Sequence, residues 1–461
     1  MKNCLHVFRK ISRSGVEIKI KRKKFKVNYP IQIWNKFPKS LHKVFADSLA
    51  YVCTWHLPLI EDSNITYHFS HPPIEPLFFK LLLYSIPMSI FEKEGTKTSE
   101  ILKKFYNTNF QSRFKALNCS YSGKKIKQNL KNKAMLFFSF GKDSLLTYCL
   151  LKEFKINQTL FFVEVPNCQI ENRQKSKLTE KFFEKTGDEI NFFPLSIGKI
   201  RQDVDLSWGW DIILSQYVFI LLPYYFYYLP KYLFFGNEQS CNFYIEDEEN
   251  YLINPVYEQS VPAMQLLQDI PRLFFVNAHI GSLLEPVHEI FITYILHYRY
   301  PEIGRFQTSC LLEEESAKEK RWCGKCDKCA MMYIFFKALS INPEKVGFLD
   351  KQMLSFKKSH LYILFNKKSI KEGTGRSGLT RDEQLLAFYL AYKNGAKGDL
   401  ITKFKSLYLK EAEKRKDKLI KEYFGIHSSF SLPSALRKRT LNIYVKEREK
   451  ALHYVQKIVG R

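Results

Sequence analysis

Residues 135–150 read MLFFSFGKDSLLTYCL: an apolar run, a polar break at Ser139–Ser144, then apolar residues again at helical spacing. The pattern predicts a buried strand over "AMLFFSF" and a helix over "DSLLTYCLLKEF". Working outward, "TLFFVEV" reads as a second strand, "KSKLTEKFFEKTG" as a helix and "INFFPL" as a third strand. Near-continuous apolar strands alternating with helices indicate a parallel sheet covered on both faces, so the fold class is α/β, doubly wound.

In such a sheet ligands gather beyond the carboxyl ends of the strands, and the first strand-to-helix turn is the usual seat for phosphate. Ser139–Ser144 occupies that turn. A helix opening near Asp143 offers unpaired N–H groups and the positive end of its dipole; Ser139 and Ser144 add hydroxyls, Gly141 allows close approach and Lys142 adds charge. The stretch has neither the spacing of a Walker loop nor the three glycines of a dinucleotide loop. An ordinary helix cap built from Asp143 or Ser139 is the plainer alternative.

The second chemical signal lies at residues 308–330, "TSCLLEEESAKEKRWCGKCDKCA". Cys310 is followed by Cys323, Cys326 and Cys329 in a Cys-x2-Cys-x2-Cys run, and four thiolates fit tetrahedral Zn²⁺. An iron–sulfur cluster is the competing reading. With all four positions filled by protein, a zinc there is structural and clamps the C-terminal element against the sheet.

The 461 residues, 45% of them hydrophobic, suffice for two to three domains with a sizeable core. Lysine and arginine number 72 against 46 acidic residues, a net +26 that suits nucleic acid, anionic surfaces or phosphorylated metabolites. The first thirty residues hold no uninterrupted apolar segment, and the ten scattered cysteines do not resemble a disulfide frame; the expected location is the cytoplasm. Residues 210–235, "WDIILSQYVFILLPYYFYYLPKYLFF", approach the length of a membrane span. Ser215, Gln216, Pro223, Pro230 and Lys231 interrupt them, which predicts a buried helix feeding a short strand and no stable membrane insertion.

Four regions follow: an N-terminal α+β domain over 1–130, the α/β domain that carries the 139–144 turn over 131–300, the four-cysteine element over 301–345, and a basic, mainly helical region over 346–461. Residues 122–133, "SGKKIKQNLKNK", read as a linker, and "GTGRSG" at 373–378 as a turn within the tail.

Ser139-Phe140-Gly141-Lys142-Asp143-Ser144 resembles the pyrophosphate loop of the PP-loop ATP pyrophosphatases, Ser-Gly-Gly-x-Asp-Ser. Phe140 departs from it where glycine is usual, and a positive φ there would be strained. The resemblance implies cleavage of ATP between its α and β phosphates and transfer of AMP to a substrate oxygen, with Lys142 and the loop amides stabilising phosphate charge and Asp143 helping to place Mg²⁺. Further stretches narrow it: "FFGNEQSCN" at 234–242, "YEQSVPAM" at 257–264 and "SLLEPVHEIFITYIL" at 282–296. Together with "WCGKCDKCA" and the N-terminal domain, they look most like the UDP-N-acetylmuramoyl-L-alanyl-L-glutamate epimerases, over about residues 30–350. That family implies ATP- and Mg²⁺-dependent inversion of the terminal L-glutamate of UDP-N-acetylmuramoyl-L-Ala-L-Glu, a peptidoglycan precursor. Asn237 joins the nucleotide site, and the nominated proton-transfer residues are Glu238, which sits at a strand's end beside polar neighbours, then His288 and Glu285; Glu238 as a capping or Mg²⁺-binding group is the alternative. The rival readings are a 7-cyano-7-deazaguanine synthase-like enzyme, which has the cysteine pattern in a far shorter chain, and a tRNA-modifying PP-loop enzyme, which the charge suits.

Overall fold

The computed structural model describes residues 4–61, 63–91, 97–116, 128–166, 168–202, 213–310, 320–366 and 380–460. The 373–378 turn, residues 122–127 of the linker and residues 210–212 of the apolar segment lie outside them.

The chain opens with a meander of β1 (Cys4–Ser12), β2 (Gly15–Ile20) and β3 (Lys23–Asn28). On the other side of β1, β4 (Asn64–Ser70) and β5 (Arg113–Ala116) add in parallel, giving the order β3-β2-β1-β4-β5. Leu5 and Val7 are buried and their neighbours exposed, the alternation of a sheet with one wet face.

The central sheet is built from β6 (Lys131–Phe137), β7 (Asn157–Glu164), β8 (Ile190–Pro194) and β9 (Pro230–Phe235). After a small hairpin of β10 (Ile245–Glu246) and β11 (Leu252–Ile253), β12 (His279–Ser282) completes it. All five strands run parallel in the order β8-β7-β6-β9-β12. The chain therefore builds outward from β6 in one direction and then returns to the other side of it, so the direction of winding reverses between β6 and β9. Their carboxyl ends are Phe137 and Phe235, and the residues that follow are Ser139–Ser144 and Gly236-Asn237-Glu238. This is the crevice in which open parallel sheets bind their ligands.

The period of two along each strand divides the interior into two cores. Met135, Phe161, Leu233 and Phe235 face a core shared with Trp34 and Phe45 of the N-terminal region. Leu136, Leu160 and Phe234 face another, shared with Ile295, Met332 and, from the tail, Phe388 and Tyr444. The N-terminal region and the tail thus cover opposite faces of one sheet.

The apolar segment forms two short helices, Ile213–Ile220 and Leu222–Tyr228, with Pro223 opening the second, before β9. No helix among the described residues is long and apolar enough to cross a membrane. Within residues 282–296 the helix starts only at Glu289, because Pro286 biases Glu285 towards extended backbone and His288 takes the extended N-cap position (φ −83°, ψ 163°). The tail is helical, over Arg381–Lys393, Asp399–Leu407, Leu409–Tyr423 and Ser434–Val459.

Candidate functional site

The loop after β6 is held from several sides. Its Ser139 N–H donates to Ser144 Oγ (3.3 Å), and Ser144 Oγ donates to the Gly141 carbonyl (3.1 Å). Gly141 has no side chain to cap the Lys142–Glu153 helix, and of its first N–H groups that of Lys142 is taken by Ser309 Oγ; a helix mouth of this kind suits an anion. Gly236, at the end of β9, packs so close that a Cβ there would lie 2.5 Å from Asp143 Cβ. That contact brings the loop and the β9 end into one crevice.

Phe140 has φ +59°, the left-handed backbone that its position in the pattern demands. For a non-glycine residue this costs ~1–2 kcal/mol. The ring is fully buried, packed edge-on against Phe138 and Phe182, and burial of an aromatic side chain contributes ~1.5–3 kcal/mol. Hydrophobic anchoring offsets the strain, so the loop keeps its shape without the usual glycine.

Five charged groups converge on this crevice from four segments of chain. Lys142 Nζ lies 2.6 Å from Asp143 Oδ1 and 3.6 Å from Glu289 Oε2. Burial disfavours its ammonium, but Asp143, Glu238 and Glu289 together hold its pKa well above the usual lysine value. Glu238 is 5% exposed; burial, then the charge of Glu289, lifts its carboxyl far above the ordinary glutamate value against the pull of Lys142. Glu383, from the tail, is pushed up to about 8 by burial and by Glu289, although Ile290 N–H (2.9 Å) and Ser240 Oγ (3.1 Å) donate to it.

Four buried polar atoms at this place make no hydrogen bond: Asn237 Nδ2, Glu238 Oε2, Gln239 Oε1 and Glu289 Oε2. The two glutamates are the only acidic residues so placed among the described residues. Buried polar atoms are normally satisfied, and a cluster of orphans on consecutive residues marks where a ligand completes the structure.

The proposed proton-transfer residues separate clearly. Glu238 keeps a free carboxylate oxygen. Glu285 does not: its oxygens accept from Ser428 Oγ (3.0 Å), Phe430 N–H (2.7 Å) and Ser431 N–H, which ties the tail to the mouth of β12. His288 shares a hydrogen bond with Ser240 Oγ (2.9 Å), and burial, partly opposed by Glu422, lowers its pKa. Glu285 is thus a positioning group, and His288 stands behind Ser240. Glu289 and Glu383 join the site without having been nominated from the sequence.

The four cysteine sulfurs lie within 4.8 Å of one another, an arrangement that can hold a metal ion. Cys326 caps the Asp327–Ala338 helix, accepting from Cys329 N–H (3.4 Å), and Gly324 turns the chain with φ +68° where a Cβ would meet Asp350 Oδ2 at 2.6 Å. The residues before Cys310 reach the 139–144 loop directly. Thr308 N–H donates to the Phe140 carbonyl (2.8 Å), and Ser309 Oγ accepts from Lys142 N–H (3.3 Å). Lys175, 2% exposed and with its pKa pushed down to about 8 by burial, donates to the carbonyls of both Ser139 and Thr308 (2.7 Å to the latter). The cysteine cluster is therefore braced against the loop.

No protein-family model matches the chain, and no curated protein matches it. The site must be read from its own chemistry. Beside it, Asn254 donates to the Cys241 carbonyl (2.9 Å) and lines a cleft of about 310 Å³ with Tyr84, Tyr106, Tyr244, Tyr251 and Tyr257. Aromatic walls of this kind suit the flat faces of bases and sugars.

Proposed function

We propose that the protein is an ATP-dependent epimerase that inverts the terminal L-glutamate of UDP-N-acetylmuramoyl-L-Ala-L-Glu by adenylating its carboxylate. The observation that carries this reading is the free, buried Glu238 carboxyl beside the uncapped 139–144 loop at the switch point of the sheet. The motif resemblance supplies the substrate.

Each residue has a task in this scheme. The helix-mouth amides and the Lys142 ammonium bind the departing pyrophosphate and stabilise the charge that builds there. The oxygens of Asp143 and Glu289 are hard donors that fit Mg²⁺, which would neutralise phosphate oxygens. Transfer of AMP to the glutamate carboxylate removes a negative charge from beside Cα and acidifies the Cα proton. Glu238, a carboxylate made more basic by burial, accepts that proton. Return of a proton to the opposite face and hydrolysis of the mixed anhydride release AMP and the D-Glu product. In this reading the four cysteines hold structural zinc, which keeps Thr308 and Ser309 against the loop.

The reading predicts AMP and pyrophosphate release from ATP and Mg²⁺ only when UDP-N-acetylmuramoyl-L-Ala-L-Glu is added. Release driven instead by 7-carboxy-7-deazaguanine with ammonia, or by tRNA with steep salt dependence, would replace it with the matching rival.

A further inference from the structure

A second cluster with metal-ligand chemistry stands on the far side of His288. One nitrogen each of His288 and His427 and one carboxylate oxygen of Glu422 lie within 4.8 Å of one another. His288 comes from the mouth of the Glu289–Arg299 helix, Glu422 from the end of the Leu409–Tyr423 helix, and His427 from the segment just after it.

We propose that His288, Glu422 and His427 form a divalent-cation site of the zinc class, separate from the cysteine cluster, that pins the tail to the helix carrying Glu289.

With Glu383 ionised, the hydrogen bonds around His288 select one tautomer. Ser240 Oγ donates to Glu383 Oε2 (3.1 Å), so the same oxygen accepts from His288 Nδ1–H (2.9 Å). The proton is then on Nδ1, and Nε2 presents its lone pair. That Nε2 is buried, makes no hydrogen bond, and faces Glu422 Oε1 at 3.4 Å. A lone pair opposite a carboxylate is repulsive unless a metal ion lies between them or a proton makes the ring an imidazolium, and burial disfavours the second. The Glu383–Ser240–His288 chain is also the outer-shell support that metal-bound imidazoles normally have, in which the second nitrogen donates towards a carboxylate. His427 donates from Nε2 to the Glu422 carbonyl (2.9 Å), which leaves Nδ1 as its basic nitrogen, and its ring stands edge-on to that of His288 with centroids 4.8 Å apart. Two imidazoles and one carboxylate suit zinc and its first-row neighbours and leave a coordination position open to solvent. The Glu422 side chain is 52% exposed, which gives an ion an entry path.

The site is placed to matter for the crevice. Glu383 accepts both from Ser240, the partner of His288, and from the N–H of Ile290 next to Glu289, so a cation there would fix the tail helix against the helix that presents Glu289.

The test compares the full-length wild type with His427→Ala and Glu422→Gln, each dialysed to equilibrium against micromolar zinc and assayed for zinc per chain. Both side chains are partly exposed, at 21% and 52%, so neither variant removes core packing. The expected result is one fewer zinc per chain in each variant. Cobalt in place of zinc identifies the ion that is lost: the thiolate-to-cobalt charge-transfer bands of the cysteine site persist, while the weaker bands of a nitrogen–oxygen site disappear. Equal zinc content in wild type and both variants overturns the proposal whatever the cysteine site holds.

Discussion

Glu238→Gln is expected to abolish solvent exchange at the glutamate Cα while ATP–pyrophosphate exchange continues. The substitution is isosteric, and the Glu238 oxygen that matters makes no hydrogen bond within the protein, so the fold has little to lose. A positioned general base contributes ~10²–10⁴ in rate, and exchange and inversion should fall by that factor. Adenylation precedes proton removal and relies on the loop amides and Lys142, so it survives. If the variant loses both reactions together, Glu238 serves nucleotide or Mg²⁺ binding; if it loses neither, the base is another group.

Cys326→Ser brings the second large effect. Serine is itself a good N-cap, so the helix that Cys326 opens keeps an acceptor for Cys329 N–H, and what disappears is one metal ligand. Structural zinc binding supplies ~10–16 kcal/mol in small zinc domains, and a whole domain is stable by only ~5–15 kcal/mol. Zinc content should fall from one towards none at this cluster, the melting temperature should drop by many degrees, and much of the expressed protein should be insoluble. Because Thr308 and Ser309 brace the loop, the folded remainder should also show a raised KM for ATP. An unchanged melting temperature, or a brown preparation containing iron, contradicts structural zinc at these thiolates.

The sheet was legible because its strands are buried on both faces and so appear as apolar runs, and the loop because its small and charged residues break the longest of them. Phe140 could be read as a departure from the pattern but not as a tolerable one: the ring's partner Phe182 lies on another helix, and only the tertiary packing shows what offsets the positive φ. Glu285 was nominated behind Glu238, and nothing local marked it as an acid already engaged. Its engagement by Ser428, Phe430 and Ser431 depends on a tail segment more than a hundred residues away. Glu383 was the least legible. In "RDEQLLAFYLAYK" it sits in the first turn of a helix, where acids are common on electrostatic grounds alone, and nothing local distinguishes a carboxylate that will be buried against Ser240. Lys175 was hidden in the same way, one lysine among many until its ammonium is seen between the carbonyls of Ser139 and Thr308.

The central claim is inversion through an activated carboxylate. It is tested most directly by incubating the wild type in D₂O with ATP, Mg²⁺ and UDP-N-acetylmuramoyl-L-Ala-L-Glu, and then analysing the glutamate by mass and by configuration. The account predicts one deuterium at Cα in a product that has become D-Glu, formed only when ATP is present. Recovery of unlabelled L-Glu substrate, with ATP intact or consumed, contradicts it.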